Sequence, residues 1–180
     1  MAGMAGDLAA IVDSAAGGDE VAFGRIVAAH DDEMYRICMA VGRDPVIATE
    51  AVQSAWSIAW RKLGTVRQPD RLRSWLVSVA VNEARKLLKQ RQRRVGVEVP
   101  LDSVDVAGAV DPSTGIASVD LQAALERLDA DDRALLAMRY LAGFNASELA
   151  AATGLSPSGT RTRLERHPAR HRQELACWLR

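Results

Sequence analysis

Apolar positions recur at spacings of three and four along nearly the whole chain, and Gly, Pro and cap residues cut this pattern into separate helices. Residues 7–16 predict a short helix that ends at Gly17-Gly18. Asp19 is a natural N-cap for a second helix, from Glu20 to about Val41. Its apolar side holds Val21, Phe23, Ile26, Val27, Met34, Ile37, Cys38 and Val41, and Gly42 stops it. Asp44 caps a third helix with Pro45 at its first position and an end near Lys62. Ala48, Val52, Ala55, Trp56, Ala59 and Trp60 form its stripe, and the two tryptophans, one turn apart, read as core rather than as base-stacking groups. After a loop punctuated by Gly64 and Pro69, a fourth helix runs from Leu72 through residue 94 with no internal Gly or Pro. At about 100° per residue, Leu72, Trp75, Leu76, Val79, Ala80 and Leu87 share an apolar face. Ser74, Ser78, Asn82, Arg85 and Lys89 line up on a narrow polar strip turned away from it.

Periodicity stops at Val95. The segment VGVEVPLDSVDVAGAVDPSTGIASVD mixes Gly, Pro, Ser and acids and predicts a flexible acidic linker that a polyanion would repel. Helical spacing resumes in LQAALERL, and Asp129 caps a helix over 130–141 that Gly143 closes. Asn145 and Glu148 have the form of a capping box at the head of a helix over 146–153. Gly154-Leu155 makes a turn, Ser156 caps again, and Pro157 opens a last helix. Leu149 and the small Ala150, a left-handed Gly154 and a freshly capped helix together predict a helix-turn-helix. On the last helix Arg161, Thr162, Glu165 and Arg166 share one side, with Thr160, Leu164 and His167 opposite. Arginine can hold guanine bidentately in the major groove, and glutamate can accept from cytosine. Pro168 lacks an N–H and clashes with the carbonyl of Leu164, at about 3 kcal/mol in a regular helix. A kink or an end is therefore expected between Leu164 and His167, so Arg170 and Arg172 are not counted among the base-reading residues.

Charge sharpens this picture. The 180 residues carry no formal net charge, yet the zero conceals blocks. Residues 1–60 hold nine acids and three bases, while residues 61–94 hold eleven bases and two acids. Residues 95–132 hold nine acids and one base, and residues 133–180 hold eight bases and three acids. Two basic helical modules on one otherwise acidic chain imply two contacts with a polyanion, and the polar strip with its surrounding cations suits a nucleic-acid backbone. The alternative for the fourth helix is a core helix with a solvated basic face. Hydrophobic residues make up 48% and aromatics 4%, enough for real cores and unlike an all-β chain.

Several chemistries are excluded. Cys38 and Cys177 form no CxxC and suggest no disulfide framework. The N-terminus has no basic region ahead of its short, Asp-broken apolar run, so no signal peptide is expected, and no run reaches the length of a membrane span. A cytoplasmic location without membrane insertion follows. His167 and His171 have i,i+4 spacing with Cys177 nearby, but Pro168 disturbs the helix that would align them and a third firm ligand is missing; His30 beside Asp31-Asp32-Glu33 reads as a solvated face, so no metal and no cofactor are expected. With no P-loop, GxGxxG or Ser/His/Asp grouping, the chain is not expected to be an enzyme.

Two such modules in this order resemble the extracytoplasmic-function (group 4) sigma factors of bacterial RNA polymerase. The likeness rests on GDEVAF (18–23), DPVIATEAVQSAWSIAWRKL (44–63) and RSWLVSVAVNEARKLL (73–88) in the first module. In the second it rests on ALERLDADDRALLAMRYLAGFNASELAAATGLSPSGTRTRL (124–164). The resemblance implies an all-α protein of two small helical domains: a region 2 four-helix domain over 1–95 and a region 4 helix-turn-helix domain over 120–180, joined by a flexible linker over 96–119. It implies an initiation factor without a catalytic site. Asp44, Glu50 and Gln53 would dock on the clamp coiled coil of core RNA polymerase, and the second domain would rest on the flap. Arg67, Arg71, Ser78, Asn82, Arg85 and Lys89 would capture the −10 element of promoter DNA. Arg161, Thr162, Glu165 and Arg166 would read the −35 element. An anti-sigma factor is a further candidate partner.

The chain departs from the family pattern in places. It reads ATE at 48–50 where two acids usually follow Ala, Lys86 stands where an acid is common, Val81 where a base is common, and Thr160 where an aliphatic is usual. Two other classes stay open: a polymerase-independent helix-turn-helix regulator, and a sigma-like interaction protein that no longer binds DNA.

Overall fold

The computed structural model describes residues 2–95 and 128–166, and every regular element among them is helical. In the first module the elements are α1 (Ala2–Ala16), α2 (Glu20–Gly42), α3 (Pro45–Lys62) and α4 (Leu72–Val95), with 3-10 turns at Leu63–Thr65 and Pro69–Arg71 between the last two. The second module contributes α5 (Ala130–Leu136), a π-helical turn (Ala137–Leu141), α6 (Ala146–Thr153) and α7 (Pro157–Glu165). The segments 96–119 and 121–127, read above as linker and short helix, lie outside the described residues, as do Pro168 and the His167, His171 and Cys177 group.

Local chemistry sets the helix boundaries. The Asp19 carboxylate accepts from the amides of Val21 and Ala22, and that of Asp44 accepts from Val46 and Ile47. Asn145 and Glu148 close the reciprocal capping box, and Ser156 accepts from Gly159. Gly154 ends α6 in the left-handed region at φ 71°, where a Cβ would be strained. At the end of α2 that conformation falls instead on Arg43, at φ 55°, because Gly42 is needed in the helix: a Cβ there would meet the Ile47 side chain at 2.9 Å. The predicted 130–141 helix is not uniform. Ala142 N–H reaches back to the carbonyl of Ala137, widening the last turn before Gly143 at φ 70°.

Helices α2, α3 and α4 pack together around Ile26, Met34, Ile37, Val52, Ala55, Leu72, Leu76 and Ala80. The apolar face expected for α4 is buried or half-buried, but the buried arc is wider than predicted: Val77, Val81, Ala84 and Leu88 are buried too. Both α2 and α3 lie against α4, so burial runs half-way round the helix and leaves the polar strip outside. Two expectations on the other helices need correction. Val21 is 70% exposed, its place taken by Ala22. Of the tryptophans, Trp56 is half-buried and donates from Nε1 to Asp31 at 2.7 Å, whereas Trp60 is 41% exposed, its ring edge-on to Phe23 at 4.9 Å.

The two modules share one core. The cluster that contains Ile37, Leu76 and Val81 also holds Ala134, Leu135, Met138, Phe144 and Leu149. Polar contacts tie the same junction. Arg133 donates from Nε to the carbonyl of Val41 at 2.8 Å and from Nη1 to that of Leu128 at 2.6 Å.

Candidate nucleic-acid interface

The polar strip of α4 exists because seven buried residues hold the rest of the helix surface inward. Along it, Ser78 is half-buried and donates to the carbonyl of Ser74 at 2.7 Å, and Asn82 is exposed. Arg67 and Arg71, on the loop that leads into α4, are exposed. Together with Asn82 they line one wall of a cleft of about 860 Å³ whose opposite wall is formed by Phe144, Asn145, Glu148 and Ala152. A loop with two exposed guanidiniums beside an exposed carboxamide can hold a strand backbone and one base edge.

Farther along, the strip is engaged. The Arg85 side chain keeps only 19% of its exposure; it donates from Nε to Asp131 at 2.7 Å and from Nη1 to Asn82 at 3.2 Å. Lys89 remains 54% exposed with its amine 3.7 Å from the same Asp131 carboxylate. Burial works to raise the Asp131 pKa, but the Arg85 hydrogen bond and the charges of Arg85, Lys89 and Arg163 outweigh it and hold the group below its ordinary value. Sequence reading treated Asp131 as one member of an acidic block and missed this role. The signal was present in an Asp-Asp pair at the head of a helix, but its partner lies 46 residues back.

In the second module Leu149 is wholly buried, Gly154 turns the chain, and α7 crosses with Thr160 buried beneath it. Arg161, Thr162, Glu165 and Arg166 all point to solvent, so the four residues chosen for base reading form one exposed face. Arg163, between them, turns back instead to pair with Asp132 and, at 3.5 Å, with Asp129. That pairing fixes the roll of α7 against α5, which keeps the reading face outward.

The residues chosen for polymerase docking divide. Glu50 and Gln53 are exposed on α3. Asp44 is committed elsewhere: one carboxylate oxygen caps α3 and the other pairs with Arg91. Among the described residues no group of three His, Cys, Asp or Glu is arranged to hold a metal ion, and no helix is long and apolar enough to cross a membrane.

Comparison with known proteins places this arrangement. Residues 26–94 match the Sigma-70 region 2 family, and residues 118–166 match Sigma-70, region 4. The chain belongs to the sigma-70 family of transcription initiation factors. It is of the extracytoplasmic-function (ECF) type. The sigma factor is 34% identical over 169 residues to the probable RNA polymerase sigma factor RfaY of Xanthomonas campestris pv. campestris, aligning over 89% of itself but spanning only 42% of that relative's length. It is 28% identical over 169 residues to the RNA polymerase sigma factor CnrH of Cupriavidus metallidurans, covering 87% of each chain. Against the ECF RNA polymerase sigma factor SigM of Mycobacterium tuberculosis it is 27% identical over 154 residues, 85% of this chain and 76% of SigM. The fold is shared with CnrH solved in complex with the cytosolic domain of CnrY, at a TM-score of 0.62 and 24% identity over 94% of each chain. It is shared also with the sigma factor RpoE in complex with the anti-sigma factor NepR from Bartonella quintana, at a TM-score of 0.66 and 23% identity, covering 85% of this chain and 96% of that one.

Proposed function

We propose that this sigma factor binds core RNA polymerase and directs it to promoters by holding two DNA elements at once. A first domain over 1–95 docks on the polymerase through the exposed Glu50 and Gln53 of α3, with Asp44 fixing the start of that helix. The same domain takes the unpaired strand of a −10 element with Arg67, Arg71, Ser78, Asn82, Arg85 and Lys89. A separated base is held by its edge at Ser78 and Asn82, and the cations follow the backbone. A second domain over 120–180 sets α7 into the major groove of a −35 element and rests on the polymerase flap. Arg161 and Arg166 suit guanine and Glu165 suits the amino group of cytosine. An acidic segment over 96–119 joins the two domains, and each weak DNA contact gains from the other through their common seat on the polymerase. No catalytic chemistry is assigned to the chain, and its work lies in the cytoplasm. The relatives solved with CnrY and NepR make an anti-sigma factor the natural class of regulator for it.

The observation that carries this reading is the exposed face of α7 above its own buried Thr160 and the buried Leu149 of α6, presented together with an open cleft whose first-module wall is formed by Arg67, Arg71 and Asn82. A helix-turn-helix regulator acting without polymerase accounts for the first feature and leaves the cleft and the exposed face of α3 without work. The test is run-off transcription from promoter fragments selected by the reconstituted holoenzyme. Arg161→Ala should cost about 1–3 kcal/mol of discrimination at one base of the −35 element, while Arg67→Ala should weaken binding evenly across sequences and lower the salt slope by about 1. Failure of the folded chain to bind core polymerase would overturn the proposal.

A further inference from the structure

We propose that α1 is a positioning helix for −10 capture. It holds the loop that carries Arg67 and Arg71 where a separated strand meets it, and so sharpens base preference through that loop; this rests on the function proposed above. The region 2 match begins at residue 26, so α1 lies wholly ahead of it. The helix carries an apolar stripe, Leu8, Ile11, Val12 and Ala15, at i, i+3, i+4 and i+7. Val12 and Ala15 are buried, and Leu8 and Ile11 are half-buried. What α1 packs against is α2 together with both 3-10 turns, Leu63–Thr65 and Pro69–Arg71, that bracket the loop. At one point the approach is close. Ala16, the last residue of α1, faces Gly64, and a Cβ on Gly64 would stand 3.9 Å from the Ala16 Cβ.

The loop needs such a support. Its middle is extended, with Val66 at φ −80°, ψ 92° and Gln68 at φ −122°, ψ 101°, and each flanking turn is a single 3-10 turn, too short to hold its shape by itself. Leu63 and Leu72, each 1% exposed, pin the two ends, and Val66 is half-buried between them. Arg67, Gln68 and Arg71 are exposed. With those anchors alone the guanidiniums would sample many positions, and ordering them on a DNA strand would cost conformational entropy at the moment of binding. A packed helix alongside removes that freedom beforehand. For this α1 must itself be fixed, and Asp19 fixes it. One carboxylate oxygen of Asp19 accepts from the amides of Val21 and Ala22, and the other accepts from the Ser14 hydroxyl of α1 at 2.8 Å. The Asp19 amide donates back to the Ser14 carbonyl at 3.2 Å, and Gly18 at φ 96° makes the reversal between the helices. A strut thus runs from the α2 core through α1 to the loop.

An engineered disulfide in the full chain tests this, because the Ala16–Gly64 separation falls within the range of about 3.5–4.5 Å that bonded cysteines span between Cβ atoms. The chain with Ala16→Cys, Gly64→Cys and Cys177→Ser, in which Cys38 stays buried, is compared oxidised and reduced. Val12→Ala, which thins the stripe, is made in the parent and in that background. Hydrogen exchange of the loop amides, followed by mass spectrometry on peptides covering 63–72, should quicken about tenfold in Val12→Ala and return to the parent rate when the disulfide closes. In promoter fragments selected by the holoenzyme, −10 base preference should fall about tenfold in Val12→Ala and recover on oxidation, while affinity for core polymerase stays constant. A helix that merely stabilised the fold would move both together. The proposal is overturned if the disulfide does not form, if Val12→Ala chains of native helicity keep the parent exchange rate, or if faster exchange leaves −10 preference intact. An oxidised chain unable to capture the −10 strand would also sink it, since α1 would then have to leave the loop. A wild-type holoenzyme with no −10 preference counts against the proposed function instead, and loop exchange still decides whether α1 holds the loop.

Discussion

Replacing Thr160 with valine should stabilise the second module by about 1–2 kcal/mol, because the native hydroxyl is buried for nothing. Thr160 is fully buried, its backbone N–H is satisfied by the carbonyl of Ser156 at 2.9 Å, and its Oγ1 has no partner among the described residues. A buried polar group left unsatisfied costs about 1–3 kcal/mol. Valine keeps the branched shape, the restricted χ1 and nearly the same helix propensity, so neither packing nor backbone entropy should offset the gain. The methyl that replaces the hydroxyl adds apolar burial worth up to about 0.8 kcal/mol, which strain from the slightly larger group reduces. For a chain of this size each kcal/mol raises Tm by about 2–4 °C. Urea unfolding followed by far-UV circular dichroism on the full chain measures the change, and Thr160→Ser provides the contrast. Serine keeps the hydroxyl and removes the methyl, so it should lose about 1 kcal/mol. A valine variant no more stable than the parent, beside a serine variant that is less stable, would show the hydroxyl to be satisfied and refute the reasoning. Arg161 and Thr162 face the other way, so promoter selectivity should not move.

Asp44→Ala should cost about 1–2 kcal/mol in urea unfolding through the lost cap of α3; the pair with Arg91, which is 61% exposed, adds little, so Asp44→Asn should recover most of the loss. The Asp131 carboxyl sits below its ordinary 3.8 in the folded chain, so its contribution is present above that value and fades as pH falls through the lowered one. Small-angle scattering of the free chain should accordingly give a constant radius of gyration from about pH 8 to about pH 5, with any opening confined below about pH 4. Burial pushes the Cys38 thiol up to about 12, so peptide mass spectrometry after alkylation at neutral pH should find Cys38 unmodified until urea unfolds the chain.

The parts of this fold that could be read from residues alone are those decided within one turn of backbone. Asp19, Asp44, Ser156 and the Asn145–Glu148 box each satisfy amides two or three positions away, so their sequence context contains the whole interaction. The same holds for the exposed face of α7, since burial of Thr160 and Leu164 on one side turns Arg161 and Arg166 to the other. What escaped is set by neighbours that the sequence does not list in order. Counting from Leu72 could not show that two helices flank α4, hence the unexpected burial of Val77, Val81, Ala84 and Leu88. Trp60 carried the same spacing signal as Trp56, yet it lies at the rim of the α2–α3 contact, where its ring meets Phe23 and 41% of the residue stays open to solvent.

The alternating charge blocks were legible, but their meaning was not. An acidic stretch after a basic helix reads as something a polyanion repels, which describes only how it behaves toward DNA. Its last three acids, Asp129, Asp131 and Asp132, are placed by the fold on Arg85, Lys89 and Arg163. A formal net charge of zero is then partly an internal neutralisation. The Asp131 contacts to Arg85 and Lys89 cross between the two modules, whereas Arg163 meets Asp132 and Asp129 inside the second one, so the internal neutralisation both ties the modules together and sets the roll of α7.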